Sequence, residues 1–89
     1  MTVRLLRYVG RDSLGRAASG ALTGNPAAHV ERYFKAGWQS LVISRDDVIV
    51  GRIEPAIRVA DRKWEAFDDT IGAWVEGAGR GQVRERSTR

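Results

Sequence analysis

The sequence predicts an α+β domain of element order ββαββα. It is a two-layer sandwich in which an antiparallel sheet of two hairpins is packed by two helices. Three observations predict it. Strand–turn–strand runs lie at residues 3–23 and 38–54, an Asn-Pro pair at Asn25–Pro26 opens a helix, and apolar residues recur in steps of three and four from Ile57 to Val75. Residues 1–76 form the expected single domain. Residues 77–89, "GAGRGQVRERSTR", are Gly-rich, Arg-rich and poor in apolar residues, the composition of a flexible basic tail.

The first run, "VRLLRYVG" (Val3–Gly10), is rich in β-branched and aromatic residues and reads as a strand. "DSLG" (Asp12–Gly15) is turn chemistry, and "RAASGALT" (Arg16–Thr23) is the return strand, with Gly20 marking a bulge or a close backbone approach. Asn25 is placed to cap orphan N–H groups as the N-cap of a helix over about 26–36. Pro26 loses nothing by lacking a donor at the first helical position. Ala27, Ala28, Val30 and Phe34 share one face, and Gly37 supplies the left-handed stop.

"WQSLVISRDDVIVGRIE" (Trp38–Glu54) reads as two strands about a two-residue turn at Asp46–Asp47, which sets Ser44 opposite Ile49, Val42 opposite Gly51 and Ser40 opposite Ile53. Both faces of this hairpin are partly apolar. A sheet with one wet face alternates more cleanly. The hairpin therefore either lies inside a sheet covered on both sides or turns its second face to a partner.

The stripe Ile57, Ala60, Trp64, Phe67, Ile71, Trp74, Val75 predicts a single helix from about 55 to 76. Such a helix is roughly 33 Å long at 1.5 Å per residue, more than an 89-residue domain covers completely. A competing reading pairs "IRV" with "WEAF" around "ADRK" and leaves a short helix over "TIGAWV", capped by Asp68 or Asp69. The spacing favours the long helix.

The bulk numbers exclude several functions. The chain has no Cys, so disulfides and thiolate metal sites are excluded, and one His builds no zinc site by itself. No cofactor and no metal are expected. No apolar run approaches the length of a membrane span, and "MTVRLLRYVG" lacks the pattern of a signal peptide, so the expected location is cytoplasmic. His29 has no nucleophile or carboxylate partner on its helix face. Asp46–Asp47 and Asp68–Asp69 read as turn and solvated-face residues, because adjacent side chains on a strand or helix point apart. "GAGRG" lacks the following helix that a phosphate loop needs.

The charge is uneven. Residues 1–24 carry four Arg against Asp12 (+3), residues 25–76 seven cations against nine anions (−2), and residues 77–89 four Arg against Glu85 (+3). The bias of 13 Arg to 2 Lys fits a GC-rich genome as well as it fits arginine chemistry.

The cadence of residues 30–55, "VERYFKAGWQSLVISRDDVIVGRIEP", resembles short uncharacterised accessory proteins of actinobacteria and their phages. The resemblance implies a small accessory protein and brings no catalytic residues with it. It also implies a hairpin ending in tryptophan after this point, in line with the competing reading of 55–67.

The expected function is that of a non-enzymatic protein-interaction module, homodimeric and of the phage-accessory kind, docking on a host protein. Its expected interface is Trp64, Phe67, Ile71 and Trp74, or the open sheet face. The alternative is a small DNA- or RNA-binding protein using Arg4, Arg7, Arg11 and Arg16 of the first hairpin with Arg80, Arg84, Arg86 and Arg89 of the tail.

Overall fold

The computed structural model describes residues 4–78 and 82–85, the last four by their backbone. In chain order the elements are β1 (Leu6–Arg11), β2 (Ala17–Leu22), α1 (Pro26–Lys35), β3 (Ser40–Arg45), β4 (Val48–Glu54), a 3-10 turn (Val59–Asp61), β5 (Lys63–Asp68), β6 (Ala73–Ala78) and β7 (Gln82–Glu85). The strands make one sheet of order β2-β1-β3-β4-β5-β6-β7, antiparallel at every pairing. The α+β class holds, but the ββαββα order does not: the described residues form one α-helix, packed on one face of one sheet. The two expected hairpins are joined edge to edge by β1–β3 pairing, with Tyr8 opposite Ile43 and Gly10 opposite Leu41.

The second expected helix is absent. Residues 63–78 form the β5–β6 hairpin, with Phe67 opposite Trp74 and Trp64 opposite Gly77. The competing reading also needs correction. "IRV" does not pair with "WEAF", and the turn lies at residues 69–72, where Gly72 has φ +64°. The physical reason is that odd spacing alternates faces on a strand. Trp64 and Ala66 point into the core while Glu65 and Phe67 point away. Part of the expected tail is strand, and residues 79–81 and 86–89 of it lie outside the described residues. Gly77 and Ala78 end β6, and Gln82–Glu85 pairs with it as β7.

α1 forms where expected. Asn25 Oδ1 accepts from the Ala27 N–H, Pro26 opens the helix, and Gly37 follows it with φ +92°. Its buried residues Ala27, Val30 and Phe34 meet Leu6, Leu41, Ile43, Val50, Ile53, Trp64, Ala66 and Val75 in one core. Trp64 is only 2% exposed, and its indole N–H finds no acceptor among the described residues, a cost of about 1–3 kcal/mol against the area it buries.

The helix sits close to the sheet because β4 makes room for it. The Asp46–Asp47 turn is present, both residues having positive φ, and it sets Ser44 opposite Ile49 as expected. The register then shifts between Ile43 and Ser44, so that Val42 faces Arg52 and Leu41 faces Ile53. This bulge lets consecutive Val50 and Gly51 both be buried, which a regular pleat under one helix does not allow. A Cβ on Gly51 would lie 2.7 Å from Val30 Cγ2 and 3.2 Å from Ala66 Cβ.

The other end of α1 is fixed by Arg62, a buried cation with no carboxylate partner among the described residues. Its Nη1 donates to the Phe34 carbonyl at 3.3 Å and to the Trp38 carbonyl at 2.6 Å, and its Nε donates to the Val59 carbonyl at 3.3 Å. The guanidinium lies 4.2 Å from the Phe34 ring centroid. Burial lowers its pKa from the ordinary value. It remains a cation at the negative end of the helix dipole, adding a donor to the Phe34 carbonyl, which also accepts from the Gly37 N–H, and one to the Trp38 carbonyl just past the helix.

At the helix start, Asn25 Nδ2 donates to Asp68 Oδ1 at 2.7 Å and Asn25 Oδ1 accepts from the Asp69 N–H at 2.9 Å. Thr70 donates to the same Asp68 oxygen through its hydroxyl and its N–H. Arg45 holds Asp69 with two hydrogen bonds, at 2.9 and 3.1 Å. The tips of both long hairpins are thus tied to the N-terminus of α1.

Gly51→Ala is expected to lower stability by about 1–3 kcal/mol in urea unfolding, since the added methyl has no room. Val30→Ala in the same chain should return part of that loss, giving a favourable coupling in the double-mutant cycle. The hydrogen bonds from Thr70, then from Asn25, hold the Asp68 carboxyl below its ordinary value. Its contribution is therefore complete above the unfolded-state pKa of about 3.9 and is lost as pH falls through the lower folded value. Asp68→Asn should be less stable than the parent near neutral pH, and the gap should close on acidification to about pH 2.

Candidate interaction surface

α1 covers one face of the sheet. Strand alternation and register define the other. Across the sheet, one row runs Ser19, Val9, Val42, Arg52, Glu65, Glu76, each residue opposite the next on the neighbouring strand. A flanking row places Arg7 beside Ser44 and Ile49, and carries Phe67 opposite Trp74 on β5 and β6.

This face is apolar where a solvated face would be polar. Val9, Val42 and Ile49 are 56%, 37% and 50% exposed. Phe67 and Trp74 meet edge to face with ring centroids 6.2 Å apart, and both are half-buried. Charges of both signs border them. Arg52 Nε lies 3.1 Å from Glu65 Oε2, and its Nη2 lies 3.3 Å from Glu54 Oε2. Toward the end of the face near Pro55, Val9, Arg11, Ala17, Val42, Arg52 and Pro55 line a shallow groove of about 430 Å³.

The residues expected to form the tryptophan interface are not brought together. Trp64 is core, and Ile71 lies in the β5–β6 turn at 51% exposure; Phe67 and Trp74 alone share the open face. The expected phosphate-binding arginines are dispersed. Arg4 is ion-paired with Asp46, and Arg16 with Asp12 within its own turn. Arg7 and Arg11 lie on the open side of β1, Arg11 donating to the Gly15 carbonyl at 2.9 Å. Arg84 is placed by its backbone on β7, in register with Glu76. Arg80, Arg86 and Arg89 lie outside the described residues.

His29 is held by its surroundings, with Nε2 2.6 Å from the Thr23 carbonyl and Nδ1 2.9 Å from Arg32 Nη2. An Nε2–H tautomer donates to the first and accepts from the second. Among the described residues no three His, Asp or Glu side chains group as metal ligands do, and no helix is long and apolar enough to cross a membrane. Sequence reasoning missed Val9, which lies on the first hairpin and completes the apolar row only once β1 pairs with β3. The two-sided pattern of β3 and β4 signalled a second face in need of cover but did not single out Val42 or Ile49.

The chain matches no protein-family model, and comparison with curated proteins and with solved structures gave no match.

Proposed function

We propose that the protein is a non-enzymatic protein-interaction module that works as a two-fold homodimer through the open face of β3–β6. The observation that carries this reading is the pairing of a seven-stranded sheet with a single ten-residue helix, which leaves Val42 and Ile49 in water beside the Phe67–Trp74 pair. Apolar surface left in water forgoes about 25 cal/mol per Å². A second copy is the occupant this face suits. Its charged residues, Arg52, Lys63, Glu54, Glu65 and Glu76, are of mixed sign, so two copies do not meet as like-charged surfaces. One patch then serves twice about the two-fold. The molecule extends 42 × 36 × 18 Å, and its broad side is ample for the roughly 800 Å² per partner that stable interfaces bury. Nucleic-acid binding has less support, because Arg4 and Arg16 are already ion-paired and the central face carries more carboxylates than cations.

Sedimentation equilibrium tests the reading. The protein should dimerise, and Val42→Glu should weaken the dimer by about 100-fold or more, since an unpaired carboxylate would be buried at its centre. The circular dichroism of Val42→Glu should match that of the parent, because position 42 faces away from the core. A parent chain that stays monomeric to high concentration, or a Val42→Glu chain that dimerises as the parent does, contradicts the reading.

A further inference from the structure

The β1–β2 margin of the sheet carries a different feature. Among the described residues β2 is the terminal strand and pairs on one side only, with β1. Its outer edge therefore presents a row of backbone N–H and C=O groups without strand partners. Edge strands are normally guarded by a charged residue, a proline or a bulge. β2 reads "AASGAL": it has no charge and no proline, and it pairs with β1 in unbroken register from Leu6–Leu22 to Arg11–Ala17. The strand at the opposite edge, by contrast, reads "QVRE" and holds two charges.

The surroundings of this edge are basic. Asp12 is the one acid in residues 1–24, and it is committed to its own turn: it accepts from the N–H groups of Leu14 and Arg16 and from Arg16 Nε. Those bonds, the backbone bond to Arg16 foremost, hold its carboxyl below the ordinary value. Neither Arg7 nor Arg11 has a carboxylate partner among the described residues. By register Arg7 lies opposite Ala21 and Arg11 opposite Ala17, all four on the open side of the sheet. Only a methyl group on β2 separates each guanidinium stem from the space beyond the edge. On the other side of the sheet Tyr8 lies opposite Gly20, and its ring fills the space a side chain there would take, 2.8 Å from the ideal Cβ position.

We propose that the edge of β2 takes an extended acidic segment of a partner protein as an eighth strand. Backbone groups of β2 supply the pairing. Arg7 and Arg11 reach across Ala21 and Ala17 to two carboxylates on the added strand, and Tyr8 offers its ring across Gly20 to an apolar side chain on the opposite face. Arg7 and Arg11 are four residues apart, about 13–14 Å along the strand, so the two acids stand at positions i and i+4 of the segment. The apolar contact falls next to one of them, in the pattern acid, apolar, any, any, acid. A second copy of β2 does not fit the edge, because it would set Arg7 and Arg11 of one copy beside those of the other. The inference is independent of the proposed dimer, whose face is centred on β3–β6.

The test is fluorescence anisotropy of a labelled peptide containing Glu-Val-Thr-Val-Glu against the full chain. The Val42→Glu variant is measured in parallel. Saturable binding is expected to both, weakening from about 50 to 200 mM salt. Arg7→Ala and Arg11→Ala, both exposed positions, should each weaken it about fivefold to tenfold and reduce its salt dependence. A Lys-Val-Thr-Val-Lys peptide should not bind, nor should the Glu peptide with proline in place of its central Thr and second Val, since proline removes strand donors. Hydrogen exchange should slow in residues 17–22 when the peptide is bound. The proposal is overturned by absence of binding at millimolar peptide, by equal binding of the Lys peptide, or by protection that appears elsewhere and leaves β2 unchanged. Loss of binding in Val42→Glu alone would place the peptide on the dimer face and overturn it too.

Discussion

The contact between Val30 of α1 and the bare backbone of Gly51 is the constraint on which the rest of the structure depends. One ten-residue helix has to seal the core of a seven-stranded sheet. It does so only by lying close, and it lies close because β4 offers a residue without a side chain directly beneath it. The bulge at Ile43–Ser44 belongs to the same device, since it turns Val50 and Gly51 inward together and brings Ile53 opposite Leu41. Each end of the helix is then fixed by a polar anchor. Asn25 holds the β5–β6 turn at the start, and Arg62 caps the carbonyls at the end. Neither anchor is a surface ion pair of the kind that contributes little.

Concentrating the cover on one face has a consequence for the other. With no second helix among the described residues, the outward residues of β1, β3, β4, β5 and β6 are left as a continuous surface. Their chemistry is mixed along each row, apolar at Val9 and Val42 and then charged at Arg52, Glu65 and Glu76. The same economy leaves β2 exposed along its outer side. Face and edge differ in what they can recognise. The face offers apolar area with balanced charge, whereas the edge offers backbone hydrogen bonds flanked by arginine. Both belong to the binding reading proposed above, in which the face takes a second copy and the edge takes an extended acidic segment.

Local chemistry made parts of this legible in the sequence. Asn25, Pro26 and Gly37 mark the helix through backbone requirements that hold in any context. Asp46–Asp47 marks the hairpin in the same way, and the two-sided pattern of β3 and β4 pointed to a face in need of cover. Residues 57–75 misled because a three-residue step shares a face on a helix but reverses face on a strand. Trp64 and Phe67 therefore read as neighbours and are in fact on opposite sides of the sheet. The correcting signal was Asp68 to Gly72, where an Asp accepting from Thr70 and a glycine at positive φ make a turn. Nothing local marks the bulge, the burial of Arg62 or the arrival of Val9 beside Val42. These depend on strand partners distant in the chain.

The most direct measurement of the central claim is a dilution series of methyl NMR spectra. On the proposed reading, the uncovered face of the sheet is the working surface and a second copy covers it. On dilution the methyl resonances of Val42 and Ile49 should move along a single binding curve while those of Val30, Ile43 and Ile53, beneath the helix, stay fixed. Concentration-independent spectra, or shifts confined to the helix side, would contradict the account.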